Sequence, residues 1–299
     1  MAQALSESWT GEDVSIGDVA RALTGLRDRV TEPGAPPHLR TSVMTHIAWV
    51  PPDWLDRAWA TLEGMAELHP SRTLILVPHP DGETRVDAAV SLECVQPAGV
   101  ERTVCTEVIE LRLHGTAASA PASVVEPLLV SDLPVFLRWR GQPPFGASEL
   151  EQLVELADRL IVDSTEWPGV PGCYASLADV FPHTAASDIA WARTGRWRAR
   201  LASLWPGIAD VKRIRVTGTT AQAHLLRGWL CSRLGHDVEL EHEPADLLVG
   251  IELDGEAAPF PPGDAPSPSE LLSDELDRYH RDPVYEAAAL AAATSSSSS

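Results

Sequence analysis

Apolar residues recur at the helical spacing of three and four positions near the start of the chain, at Val19, Leu23, Leu26 and Val30. Ser15 and Asp18 stand just before them in the arrangement of a capping pair. This pattern predicts an amphipathic helix. A second set of apolar residues follows residues 51–52 at a similar spacing and predicts another helix, with one side formed by Leu55, Trp59, Leu62 and Met65.

Short apolar or alternating runs predict strands at residues 41–50, 73–77, 84–95, 104–113, 135–139 and 160–162. The runs at 84–95 and 104–113 both alternate, so we expect them to form an antiparallel pair attached to a mixed sheet. A helix between the last two runs is expected to begin with a capping box formed by Ser148 and Glu151. The prediction is a mixed-sheet N-terminal α/β domain over residues 1–167.

Residues 168–171 are rich in glycine and proline and mark the expected boundary of that domain. The pattern beyond them predicts helices at 187–204 and 219–234 and strands at 213–217, 237–241 and 246–253. Two closing helices are expected after Ser267-Pro268 and Asp282-Pro283, where a capping side chain precedes a proline. We therefore expect a smaller C-terminal α/β domain over residues 172–293, followed by a disordered tail at 294–299.

Composition places the chain among ordinary globular proteins, with 44% hydrophobic and 22% charged residues in 299. No run approaches the roughly 18 apolar residues of a membrane span, so we expect no membrane partner.

The polar segment Met1–Gly11 does not resemble a secretory signal, which favours the cytoplasm. The cysteines lack metal-binding spacing, so we expect no metal and free thiols, with a linked Cys94–Cys105 pair on neighbouring strands as the alternative.

The net charge of −20 argues against nucleic acid as a partner, because phosphate contacts need clustered cations. The charge is uneven along the chain, however. Residues 191–215 are rich in arginine. In residues 241–286, by contrast, nearly all of the charged side chains are acidic. These two segments either pair within the fold or face a partner, and the sequence leaves both possibilities open.

Catalytic motifs are missing from the sequence: it contains no GxSxG elbow, no HExxH helix and no GxGxxG turn. The absence of these motifs is weak evidence by itself, but the sequence also offers nothing that brings a base, a nucleophile and an orienting acid together.

Two arginine-containing segments are candidates for binding a partner or an anion. Arg72 precedes a predicted buried strand and either binds a carboxylate or phosphate, or makes a structural ion pair with Asp132 or Asp163. Arg138 and Arg140 flank Trp139 on another strand, where the two guanidinium groups are expected on the face opposite the indole.

Each of these candidates has a plainer interpretation. Arg138 and Arg140 are equally compatible with a solvated edge, with Trp139 in the core. Asp132 lies in a polar break just before the strand of Trp139. Asp163 follows a buried strand, where ligand-binding residues gather in α/β sheets, and is equally placed to cap the next turn.

Three separated segments resemble one known family, namely HPSRTLILV at residues 69–77, PLLVSDLPVFLRWRG at residues 127–141 and ADRLIVDS at residues 157–164. They are similar to the glucose-6-phosphate dehydrogenase assembly protein family, OpcA. An alanine- and arginine-rich, lysine-poor composition favours the actinobacterial type. The resemblance implies a two-part α/β protein without catalytic residues or cofactor.

The resemblance also implies a partner, glucose-6-phosphate dehydrogenase in the oxidative pentose phosphate pathway. A family member is expected to promote the active oligomer of that enzyme, or its response to substrate, as an assembly factor or allosteric activator. The alternative function is an enzyme or sensor that binds a small phosphorylated metabolite through Arg72, Arg138 and Arg140. The oligomeric state of the chain itself is not indicated.

Overall fold

The structure is a computed structural model that describes residues 5–30, 42–63, 71–95 and 104–294. The chain divides into two compact units, Met1–Leu160 and Ile161–Ser299. The domain limits expected above, 1–167 and 172–293, stay a prediction. Residues 69–70 of the first family-like segment, Met65 and residues 295–299 of the expected disordered tail lie outside the described residues.

The first unit contains both strands and helices. In chain order its elements are β1 (Leu5–Gly11), α1 (Ile16–Val30), β2 (Thr45–Trp49), α2 (Leu55–Glu63), β3 (Arg72–His79), β4 (Arg85–Val95), β5 (Val104–His114), α3 (Thr116–Ser119), α4 (Pro121–Val125), β6 (Val135–Trp139), α5 (Ser148–Leu156) and β7 (Arg159–Val162). The boundary between the two units falls within β7.

The second unit is helix-rich and has shorter strands. Its elements are α6 (Cys173–Ala178), β8 (Ala185–Asp188), α7 (Ile189–Arg193), α8 (Gly195–Ala202), β9 (Arg213–Gly218), α9 (Thr220–Leu234), β10 (Glu239–Pro244), β11 (Gly250–Leu253), β12 (Glu256–Ala257), α10 (Pro268–Leu276) and α11 (Pro283–Ala293).

The strands form two sheets, one of eight strands in the order β1-β4-β5-β3-β2-β6-β7-β8 and one of four in the order β10-β9-β11-β12. Parallel pairing joins β2 to β3 and β6, and β3 to β5, whereas β4 runs antiparallel to both β1 and β5. The mixed α/β fold and the antiparallel pair at residues 84–95 and 104–113 are therefore confirmed.

Both predicted N-terminal helices bury the face that the periodicity indicates. Val19, Leu23 and Leu26 of α1 are almost completely buried. The apolar side of α2 and the turn before it pack on a cluster of buried residues, most of them from the sheet. The partly buried side chains are Trp54, Leu55, Trp59 and Leu62, and the buried cluster consists of Ala48, Val50, Ala58, Ile75, Val77 and Val108. Burial of these side chains supplies the main driving force for this packing.

Side-chain caps begin several of the helices, as predicted. Before α1, the backbone N–H of Ser15 donates to Asp18 Oδ2 at 3.0 Å, and that of Asp18 donates to Ser15 Oγ at 3.2 Å. Ser267 and Glu270 form a capping box before α10, and Asp282 caps α11. The box predicted at Ser148 and Glu151 is wrong, because α5 begins one residue earlier, with Ala147 as its N-cap.

Three other predictions need correction. The amino-terminal segment forms the strand β1, which was not predicted, and residues 185–188 form β8, so the helix expected at 187–204 is shorter and broken into α7 and α8. Cys94 and Cys105, paired across β4 and β5, form a disulfide. The expectation of free thiols is therefore wrong for these two residues and holds for Cys173 and Cys231.

Candidate functional site

Arg72 forms part of a nearly buried ion-pair cluster at the start of β3. Its Nε donates to Glu107 Oε2 at 2.9 Å, and one terminal nitrogen donates to the carbonyl oxygen of Leu128 at 2.6 Å. Arg27 from α1 donates to the other oxygen of Glu107, with Nε at 2.6 Å. The carboxylate partner of Arg72 is thus Glu107, and neither Asp132 nor Asp163. Two guanidinium groups satisfy one buried carboxylate, which ties α1, β3 and β5 together.

Asp132 lies in an exposed turn just before β6. Its φ angle of 64° places it in the left-handed region, which aspartate tolerates better than most residues. The turn is closed by a hydrogen bond from the N–H of Leu133 to the carbonyl oxygen of Val130 at 3.4 Å. The polar break in the sequence therefore forms the turn that leads into the strand.

Trp139 lies in the core, as expected in the interpretation that gave the segment a structural role. It is 3% exposed and stacks on Trp49 of the neighbouring strand, with ring centroids 4.7 Å apart and planes 13° apart. Arg138 and Arg140 are only 6% and 9% exposed, so the interpretation of these arginines as a solvated edge is wrong. The guanidinium of Arg140 lies over the ring of Trp54, 5.4 Å from its centroid.

The register of the parallel strands separates Arg72 from the arginines of β6. Thr45 of β2 pairs with Arg72 on one side and with Val135 on the other. Arg72 is therefore level with the first residue of β6, whereas Arg138 and Arg140 lie three and five residues further along. At about 3.3 Å per residue, these offsets are about 10 and 16 Å along the strand direction. The three arginines therefore lie in two different places.

Asp163 caps the turn that follows β7 in the second unit. Its carboxylate accepts hydrogen bonds from Thr165 N at 3.2 Å and from one terminal nitrogen of Arg193 at 2.8 and 2.9 Å. The side chain is 5% exposed. Its charge is thus compensated within the unit, in the capping role that the sequence left open.

A second buried carboxylate in this unit, Asp188, was not predicted. It is fully buried and accepts hydrogen bonds from the N–H groups of Ser164 and Ala190, from Ser164 Oγ at 2.5 Å and from the Tyr285 hydroxyl at 3.4 Å. Burial, together with the nearby charge of Asp163, raises the pKa of Asp188 to about 7. The signal for it in the sequence was its position before Ile189, where it acts as an N-cap.

The arginine-rich segment at 191–215 is largely engaged within the second unit. Arg196 donates to the carbonyl oxygens of Pro261 and Pro262 at 3.1 and 2.7 Å, and the guanidinium of Arg198 lies 3.4 Å from the ring centroid of Trp191. Cross-strand ion pairs join β9 to its neighbours, namely Arg213 with Glu239 and Glu241, and Arg215 with Glu241 and Glu252. Of the two possibilities for the opposed charges, pairing within the fold is the one observed for these residues.

Within the described ranges, no cluster of three or more histidine, cysteine or acidic side chains is arranged to hold a metal ion. In the same part of the chain, no helix is both long and apolar enough to cross a membrane.

Comparison with known proteins gives two adjoining family matches, both to domains of a protein described as a "Glucose-6-phosphate dehydrogenase subunit". Residues 63–179 match the N-terminal domain of that description, and residues 184–259 match its C-terminal domain. Together these ranges span more than half of the chain. They include every candidate residue discussed above from Arg72 to Asp188.

Curated relatives agree with the family matches. Proteins named "Putative OxPP cycle protein OpcA" from Synechocystis sp. and Synechococcus elongatus are each 26% identical to this chain, over 181 and 182 residues respectively. Each alignment covers 57% of this chain, but only 38% and 41% of the relatives, so the chain spans about two fifths of their length. The actinobacterial type stays a prediction. By its two matched domains, the chain belongs to the glucose-6-phosphate dehydrogenase assembly protein family, OpcA.

Proposed function

We propose that this protein is a non-catalytic assembly factor that binds glucose-6-phosphate dehydrogenase and promotes its active oligomer or its response to glucose 6-phosphate. The observation that carries the proposal is the pair of adjoining family matches, which together cover residues 63–179 and 184–259. Both descriptions refer to a subunit of the dehydrogenase.

The geometry of the candidate residues gives no support to a catalytic or metabolite-binding site. Arg72 and Asp163 each bind an oppositely charged side chain, and Asp188 is fully buried. Groups engaged in this way hold the fold together and are not arranged around a reacting atom. Arg72 also lies about 16 Å along the strand direction from Arg140, too far for both to bind one small phosphate. This separation disfavours the alternative of a metabolite-binding enzyme or sensor.

Activation without chemistry requires differential binding. The protein must make better contacts with the active conformation or oligomer of the dehydrogenase than with the inactive form, and the difference in binding free energy then shifts the population. A tenfold preference corresponds to about 1.4 kcal/mol, which a few interface side chains can supply.

Sizing of the cognate dehydrogenase with and without the purified full chain tests this proposal. We expect the two proteins to elute together, with the dehydrogenase shifted toward its larger oligomer. An acidic protein of similar size that is unrelated in sequence serves as the control for nonspecific association. Separate elution of the two proteins at concentrations that support activity would contradict the proposal.

A further inference from the structure

The strand β1 leaves one edge of the eight-stranded sheet open. It pairs with β4 on one side, over all seven residues from Leu5 to Gly11. In the described ranges of the chain, no strand pairs with its other side, where β1 ends the sheet. Alternate residues of a strand direct their N–H and C=O groups to opposite edges, so a row of backbone donors and acceptors faces outward there. Such a row is a template for another strand.

The other end strands of the two sheets are protected against such pairing, whereas β1 is not. Strand β8 has four residues, all of them buried, and β12 has only two residues. Strand β10 carries three glutamates and ends at Pro244. In β1 the one charged side chain is that of Glu7, which forms an ion pair with Arg29 of α1 at 3.0 Å. The edge of β1 therefore lacks the unpaired charges and the proline with which edge strands resist association.

The sequence of β1 is compatible with antiparallel pairing to a second β1. Ser8 is the central residue, so a two-fold axis at Ser8 uses the whole strand and sets Ser6 opposite Thr10 and Glu7 opposite Trp9. No like charges face each other in this register, whereas an axis at Glu7 would set two carboxylates opposite each other. Ser6, Ser8 and Thr10 share one exposed face of the strand, where they can form hydroxyl pairs across the axis.

We propose that β1 is an interface between two copies of this chain, which pair their β1 strands antiparallel about a two-fold axis at Ser8. Main-chain hydrogen bonds supply the attraction, as in other complexes that form by strand addition. A strand pair of this length buries little area, so the dimer is weak, with a dissociation constant of micromolar order. Each copy has a net charge of −20, so the dissociation constant falls when added salt screens the repulsion. This inference does not depend on the proposed function.

Sedimentation velocity of the full chain at increasing concentrations tests the interface. We expect the unaltered protein to change from monomer to dimer as its concentration rises through the micromolar range. Ser8→Lys places two ammonium groups opposite each other across the axis and should raise the dissociation constant about fivefold or more. Ser8 is exposed, so this variant should fold, which its circular dichroism spectrum and thermal midpoint would check.

The matched control is Ser232→Lys. This variant adds the same charge at an exposed position of α9 and should leave the dissociation constant within about twofold. An unaltered protein that stays monomeric up to several hundred micromolar, at low and at high salt, would overturn the proposal. An unchanged constant for Ser8→Lys would also overturn it, because any dimer contact would then lie elsewhere.

A mixture of two variants tests the position of the axis. Ser8→Lys and Ser8→Glu should each dimerise poorly alone, because residue 8 faces its own copy across the axis. Their equimolar mixture should form a heterodimer, because opposite charges then face each other. If the unaltered protein dimerises but the mixture does not, the axis does not lie at Ser8 and the proposed pairing is wrong.

Discussion

Two carboxylates buried in this protein are compensated in different ways. Glu107 accepts hydrogen bonds from two guanidinium groups, those of Arg27 and Arg72, so its charge is balanced by opposite charges. Asp188 instead accepts hydrogen bonds from backbone N–H and hydroxyl groups, and the neighbouring charge that acts on it is that of another carboxylate, Asp163. Dipoles offset less of the desolvation cost than a full opposite charge does, so Asp188 is the group whose protonation should depend on pH near neutrality.

This difference predicts how stability varies with pH. The pKa of Asp188 is raised from 3.8 to about 7 on folding, so the folded state holds the proton more tightly. Its contribution to the free energy of unfolding is therefore fully present below about pH 4 and is lost as the pH rises toward about 7. We expect Asp188→Asn, which cannot ionise, to become more stable relative to the unaltered protein between about pH 5 and pH 8.

Urea unfolding of both proteins at these pH values measures the effect. Comparison with the exposed Asp179→Asn corrects for the loss of a charge at an ordinary site. A constant difference in unfolding free energy between Asp188→Asn and the unaltered protein over this range would show that Asp188 stays ionised when folded.

At the residue scale, sequence patterns indicated whether a side chain is buried or caps a helix better than they indicated which residue it contacts. One of the two interpretations of β6 put Trp139 in the core, where it lies, and Asp282 was correctly predicted as a cap. The partner of Arg72 is Glu107, which lies opposite it on β5. That pairing depends on the order of strands in the sheet, and local periodicity carries no information about that order.

Long helices with clear caps were predicted more reliably than the strands β1 and β8, for a physical reason. A helix such as α9 shows its cap at Thr219, its apolar positions and its terminal Gly235, whose φ of 74° suits glycine. The strand β8 has only four small or polar residues, and its burial depends on packing from distant parts of the chain. The strand β1 is largely polar because it lies at a sheet edge, so it lacks the usual apolar signal.

The packing of α9 against α11 depends on a glycine. A Cβ atom at Gly228 would overlap the carbonyl oxygen of Ala288 and lie 2.8 Å from the nitrogen of Ala292. We therefore expect Gly228→Ala to lower the free energy of unfolding by about 1–3 kcal/mol, because the helices must move apart. Chemical denaturation at constant pH measures this change.

Gly25→Ala in α1 is the matched control for that measurement. The nearest atom to its added Cβ is a terminal nitrogen of Arg29 at 3.9 Å, so no clash arises. Alanine is the better helix former, and this variant should gain about 0.5–1 kcal/mol. Equal gains in both variants would show that α11 does not pack closely on Gly228.

At the scale of the whole molecule, composition and charge restricted the possible partners but did not locate a binding surface. The net charge of −20 argued against nucleic acid. The sequence left the role of the arginines at 191–215 open, and they are largely engaged by carboxylates, carbonyl groups or an aromatic ring. The guanidinium of Arg140 lies over the ring of Trp54, although the two residues are far apart in the sequence. This contact became visible only when the end of β6 was placed beside the start of α2.

The most direct test of the account is the initial rate of the cognate glucose-6-phosphate dehydrogenase as a function of glucose 6-phosphate concentration, without the full chain and with it added from equimolar to well above the dehydrogenase concentration. A partner that favours the active state must lower the half-saturating concentration or raise the maximal rate. We expect one of these changes, and we expect neither with an unrelated acidic protein of similar size at the same concentration. Identical kinetics with and without the protein, at concentrations well above that of the dehydrogenase, would contradict the account.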